Sequence, residues 1–132
     1  LPKRFLKSFP RSVTIKEFKL PKIIFSFLES FFPGNARVCL NLFHELILNE
    51  PIEFVFALLS KHLRDLYWAK VDSFSLPYPP WRISKLKKQS DFFSQNLLRH
   101  LIQQMANVNI KAKTSQVDYL TSLDLMVVSK LK

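Results

Sequence analysis

Trp81 heads a segment that carries Arg82, Lys85, Lys87 and Lys88 and no acidic residue before Asp91. An exposed aromatic ring beside several cations can stack on a nucleobase while the cations neutralise phosphates. At helical spacing the four cations spread around the helix instead of lining one face. A large aromatic at a helix start can also simply plug the end of a bundle. Nucleic-acid contact through Trp81, Arg82, Lys85, Lys87 and Lys88 therefore stands beside a purely structural role for the tryptophan.

The remaining reactive side chains lack the spacing that chemistry demands. A phosphate-cradling loop needs several glycines, and Gly34 is the single one, which excludes a Walker-type ATPase. Structural zinc takes four clustered Cys or His ligands. Cys39 and His44 are five apart, a separation that splays them around a helix, and His62 and His100 stand alone. Cys39 falls on an apolar helix face, where a thiol is inert packing. Asp65 follows His62 by three residues and could orient it, but that is also the spacing of an ordinary helix-surface pair. Glu50 and Glu53 read as helix-start residues. The expectation is a fragment with no catalytic residue, no metal ligand and no cofactor, and so not an enzyme.

The elements that must position Trp81 are helical. The chain has 132 residues, 48% of them apolar, with 13 Phe and one Gly. That suits one globular domain with its own core, and a Gly-poor, Leu- and Phe-rich composition favours helices over a turn-rich β fold. Cys39 is the only cysteine, so no disulfide can form within the chain and a reducing cytoplasm is the expected compartment. The longest clean apolar run, Phe54 to Leu59, falls far short of the roughly 20 residues that span a bilayer. No membrane partner is expected. The first residue is Leu, which suggests a piece of a longer protein.

The net charge of +10 implies an anionic partner or an anionic neighbouring domain. Lys3, Arg4, Lys7, Arg11, Lys16, Lys19 and Lys22 crowd the start of the chain, opposed by Glu17 alone. Residues 1–20 read as a basic linker or the remnant of a preceding domain, with a nucleic-acid-binding arm as the other reading. Val13 to Phe18 alternates briefly and fits a short extended stretch.

Six helices follow in 21–132. The first runs from Pro21 to Phe32 with Ile24, Phe25, Leu28 and Phe32 on one face, and Pro33-Gly34 stops it. Asn35 caps the second, whose face is Ala36, Cys39, Leu40, Phe43, Leu46 and Ile47. The third starts at Pro51, buries Phe54, Val55, Leu58, Leu59, Leu63 and Leu66, and fades near Val71. Pro77, Pro79 and Pro80 keep 72–80 a loop. The fourth spans Trp81 to Phe93, and the fifth starts at Ser94 with the stripe Leu97, Leu98, Leu101, Ile102, Met105 and Val108. The sixth starts at Ser115, with Asp118 in a capping box, and is apolar on more than one side. Such a helix is central or meets another chain. Leu120, Leu123, Val127 and Leu131 are its candidate subunit interface. Short connections make this an all-α antiparallel bundle of five to six helices.

Several stretches, in order, resemble the C-terminal collar domain of the clamp-loader delta subunit of bacterial DNA polymerase III. They are Ile24 to Leu28, Gly34 to Arg37, Glu50 to Phe54, Leu58 to Arg64, Trp81 to Gln89, the helix from Leu97 to Asn109, and Ile110 to Thr114 ahead of the final apolar helix. The family has an acidic residue and a glycine where this chain has Asn109 and Ser115. The resemblance implies a non-catalytic helical collar that packs beside other clamp-loader subunits during sliding-clamp loading in DNA replication. It also implies a monomer in isolation and an aromatic, at Trp81, near the template strand. A stand-alone basic helical nucleic-acid-binding module is the second expectation, with DNA met through the basic surface.

Overall fold

The computed structural model describes residues 21–132. The basic segment 1–20, with the extended stretch expected in it, lies outside the described residues. Among those described there are six α-helices and no strand: α1 (Lys22–Ser30), α2 (Ala36–Leu46), α3 (Ile52–Val71), α4 (Pro80–Ser90), α5 (Gln95–Lys113) and α6 (Tyr119–Lys130). A single 3-10 turn at Ser73–Ser75 lies between α3 and α4. The fold is the all-helical bundle that the sequence periodicity indicates.

Helix starts follow the local chemistry. Prolines stand at the head of α1, α3 and α4, where a missing N–H loses no intrahelical bond. Ser94 Oγ accepts from Leu97 N at 3.0 Å at the start of α5. Asp118 Oδ1 accepts from Thr121 N at 2.7 Å at the start of α6. Asn35 makes no such cap on α2. Its Nδ2 donates instead to Ser30 O at 2.8 Å, tying the turn to the end of α1.

The α5–α6 junction departs from expectation. Helix α6 begins at Tyr119, not Ser115, and Asp118 is its N-cap, not the third residue of a capping box. Ser115 belongs to the end of α5. Gln116 N donates to Lys111 O at 2.9 Å and Ser115 N to Ala112 O at 3.1 Å. That pair of bonds is a Schellman closure, which needs a left-handed residue between them. Ser115 supplies it at φ 63°. Two other boundaries shift. Helix α1 stops at Ser30, and α4 stops at Ser90, so Phe93 enters the core from the following turn.

The core is organised around α3, which packs against α1, α4, α5 and α6. Its 20 residues give a post about 30 Å long. Val55, Leu59, Leu63 and Leu66 are fully buried along it, each contributing about 1.5–3 kcal/mol of burial. Phe54, expected inside, is half-exposed. Helices α1 and α2 form a hairpin closed by Phe27 and Phe43, whose rings stack at 5.7 Å. Phe27 and Phe31 are the buried aromatics of the α1 segment, while Phe25 points out. The C-terminus docks on the α1–α2 turn, where Gly34 N donates to Leu131 O at 2.7 Å. Gly34 holds φ 92° there, a conformation that suits glycine.

Ser115 carries left-handed strain that a glycine would relieve, set against the greater freedom of glycine in the unfolded chain. Ser115→Gly is expected to raise stability by about 0.5–1 kcal/mol, read as a higher midpoint in urea unfolding with an unchanged slope. A lower midpoint would show that Ser115 makes a compensating contact.

Candidate functional site

Helices α1 and α4 flank a groove of about 660 Å³. Phe25, Leu28 and Glu29 form one wall, and Trp81, Lys85 and Lys88 the other. His62 of α3 and Gln89 of α4 lie at its base. Two consecutive pairs of phenylalanines close one end. Inside the core Phe31 stacks on Phe93 at 6.5 Å, and beside it Phe32 stacks on Phe92 at 4.4 Å.

Gln89 fixes the distance between the walls. Its Nε2 donates to Leu28 O and to Phe31 O, both at 2.9 Å. Those carbonyls belong to the last turn of α1 and the residue after it, where backbone acceptors run short of helical donors; Leu28 O has only a long bond from Phe31 N, at 3.4 Å. With both amide hydrogens used, Gln89 Oε1 must accept, so His62 Nε2 at 3.0 Å is the protonated ring nitrogen. One side chain thus joins α1, α3 and α4. Burial is the main cause that pushes the His62 pKa below its ordinary 6.5, against the opposing pull of the Gln89 bond and of Asp65.

A second polar cluster pins the 72–80 loop. Tyr78 OH donates to Asp65 Oδ2 at 2.9 Å, and Lys61 Nζ donates to the same oxygen at 3.1 Å and also to the Tyr78 hydroxyl. The Arg82 guanidinium lies 3.8 Å from the centre of the Tyr78 ring, a cation–π contact. Asp65 is therefore a buried anchor for the loop. It neither orients His62 nor forms a surface pair with it. Proline spacing shows a loop here, but the partner of Tyr78 had no sequence signal.

The structure brings Trp81, Arg82, Lys85 and Lys88 to the same groove, while Lys87 does not line it. The expected even spread of cations around α4 thus reduces to one outlier. Trp81 is 65% exposed, so it does not plug the bundle end. Lys85 Nζ reaches across the mouth to Glu29 Oε2 at 3.0 Å. Both side chains are more than half exposed, and such a pair adds little stability. Of the four residues expected at a subunit interface, Leu123, Val127 and Leu131 are buried in this chain's own core. They hold α6 against α2, α3 and α5 and have no surface to offer. Leu120 remains outside, joined by Val128 and Leu125.

Other chemistry is placed as follows. Burial pushes the Cys39 thiol up to about 11, against a smaller lowering by Ser30, which keeps it protonated near neutral pH. His44 Nε2 pairs with Asp124 Oδ1 at 2.7 Å, linking α2 to α6. Among the described residues no three His, Cys, Asp or Glu side chains group as a metal site, and no helix is long and apolar enough to cross a membrane. Comparison with family models, with curated proteins and with solved structures finds no match.

Gln89→Leu leaves the Phe31 carbonyl and the His62 N–H without partners and takes one of two bonds from the Leu28 carbonyl, which keeps Phe31 N; it is expected to cost about 2–4 kcal/mol, measured by thermal or urea unfolding. A loss under about 0.5 kcal/mol, the range of an ordinary surface change, would mean that the three bonds are replaced by water at no cost. The His62 shift has a defined sign. With the folded value depressed, the unfolded chain takes the proton first. This contribution to stability is therefore complete above about pH 6.5 and declines as pH falls from there through the folded value. His62→Gln is expected to flatten that part of the stability profile; an unchanged slope between about pH 6.5 and 5 would exclude His62 as its source.

Proposed function

We propose that residues 21–132 are a collar-type assembly module of a bacterial DNA polymerase III clamp loader, in the place of its delta subunit. In this role the module docks against neighbouring helical collars in the cytoplasm, supports sliding-clamp loading during replication, and carries out no reaction itself.

The observation that carries this reading is the junction from Asn109 to Tyr119, where the sequence departs from the family it resembles. Ser115 adopts the left-handed conformation, φ 63°, that a glycine at that position would favour. Asn109 Oδ1 accepts from Tyr119 OH at 2.9 Å, a bond that the carboxylate of an acidic residue could also accept. Both residues are thus compatible with the turn that the family pattern implies. The order of the other stretches supports the same reading, since each falls within one helix, opens one or, for Ile110 to Thr114, closes α5.

The docking face this reading uses is the outer half of α6. Leu125 is 64% exposed, Val128 43% and Leu120 39%. Leu125 and Val128 are three apart and therefore neighbours on the helix surface. Single exposed leucines are ordinary, but apolar residues grouped on one helix mark an interaction surface.

The test is reconstitution. The chain alone is expected to run as a monomer by light scattering, and to enter a larger complex when mixed with the ATPase subunits of the same cell's clamp loader. Leu125→Asp combined with Val128→Asp should weaken that association by at least about tenfold, or about 1.4 kcal/mol, without changing the unfolding midpoint. A closed homodimer through α6 would count against the assignment. So would failure to join the complex together with single-stranded DNA binding that falls steeply with salt, the behaviour of a stand-alone basic nucleic-acid-binding module.

A further inference from the structure

We propose that the groove between α1 and α4 is a docking site for a short acidic segment of a partner protein that carries bulky apolar side chains. The interior supplies the first half of the argument. Phe25, Trp81 and Phe92 are large aromatics exposed around a single concavity, where scattered exposure would be unremarkable. The base offers no free polar group from Gln89, whose amide is fully engaged by Leu28 O, Phe31 O and His62. A partner gains there by burying apolar surface and not by having a polar edge read. The volume of about 660 Å³ falls within the roughly 300–1,000 Å³ that enclose a compact ligand. The 11 residues of α4 span about 16 Å, the length of about five extended residues.

Charge supplies the second half. Helix α4 carries Arg82, Lys85, Lys87 and Lys88 and no acidic residue. Among the described residues Glu29 is the only carboxylate lining the groove, and its bond to Lys85 is an exposed pair that exchanges readily. A carboxylate on the incoming segment takes the place of Glu29 on Lys85 and meets Lys88 beside it. The chain's net charge of +10 draws such a segment in.

The same cations suit a nucleic-acid strand less well. Strand binding rests on neutralising successive phosphates. Arg82 is stacked on Tyr78 and Lys87 lies outside the groove, which leaves Lys85 and Lys88, a pair that matches one or two carboxylates but not a run of phosphates. Lys88 is the one lysine of the lining without an ion-pair or hydrogen-bond partner among the described residues.

The probe is a short synthetic peptide rich in Asp and Glu with two Phe side chains at alternate positions, which share one face of an extended segment, fluorescently labelled and titrated with the 132-residue chain. Binding is expected to weaken at least about tenfold with Trp81→Ala and with Lys88→Glu. With Lys87→Glu, which lies outside the groove, it should weaken less than about threefold. Replacing both Phe of the peptide by Ser should abolish binding. Trp81, Lys87 and Lys88 are all exposed, and circular dichroism verifies that the variants fold. The proposal is overturned if the Ser peptide binds as well as the Phe peptide, or if Lys87→Glu and Lys88→Glu act alike, either of which reduces the effect to net charge. It is also overturned if a single-stranded oligodeoxythymidylate binds more tightly than the peptide and depends on Trp81. No clamp-loader subunit takes part, so the result stands apart from the assembly reading.

Discussion

The apolar stripe of α3 is the constraint on which the rest of the structure depends. Val55, Leu59, Leu63 and Leu66 recur at helical spacing and are each almost completely buried. Four other helices lie against this one element. Removing a side chain from its middle would leave a cavity shared by several neighbours, the situation in which large-to-small substitutions cost most. Helices of 9 to 12 residues, such as α1, α2, α4 and α6, are marginal alone in water. The order of α1, α4 and α6 comes from the surface that α3 offers them, and α2 packs in turn on α1 and α6.

Polar groups then decide how the short helices sit on that post. Apolar contacts tolerate sliding and rotation, whereas a buried amide with three partners does not. Gln89 sets α4 against the end of α1 and against His62 on α3. Asp65 receives Tyr78 and Lys61, which fixes the loop that delivers α4 to its place. The two clusters act on the two ends of α4, one on the chain leading into it and one in its last turn. The α1–α4 groove is held open at a set width by hydrogen bonds, with its aromatic walls free to face solvent.

Much of this was legible in the sequence, because helix position is written in apolar periodicity and prolines. The stripe of α3, the stripe of α5 and the loop at 72–80 all follow from those signals. What was not legible shares a physical cause. Which Phe of the α1 segment faces inward depends on where the neighbouring helices lie, so Phe27 and Phe31 are inside and Phe25 outside. Ser115 reads as a cap by residue type, but the geometry of the chain's reversal places it at the end of the preceding helix. Leu123, Val127 and Leu131 read as an interface because α6 is apolar on more than one side, and periodicity does not say which side meets its own core. The partners of Gln89 and Tyr78 lie 27 to 61 and 13 to 17 positions away, beyond any local pattern.

The phenylalanine pairs show how core and groove are coupled. Phe31 and Phe32 follow α1, and Phe92 and Phe93 follow α4. Adjacent residues leaving a helix point in different directions, so one of each pair enters the core and the other leaves it. Phe31 and Phe93 are buried and stack nearly parallel, with 12° between their planes. Phe32 and Phe92 stack on the outside, 4.4 Å apart, and form the end wall of the groove. The outer contact is aligned by the inner one, because the backbone that positions Phe93 also positions Phe92. Any change that repacks the core at Phe31 or Phe93 must therefore shift the groove wall. Conversely, a segment seated against Phe92 would bear on the core through a single peptide unit. The groove is in this sense an extension of the hydrophobic core to the surface.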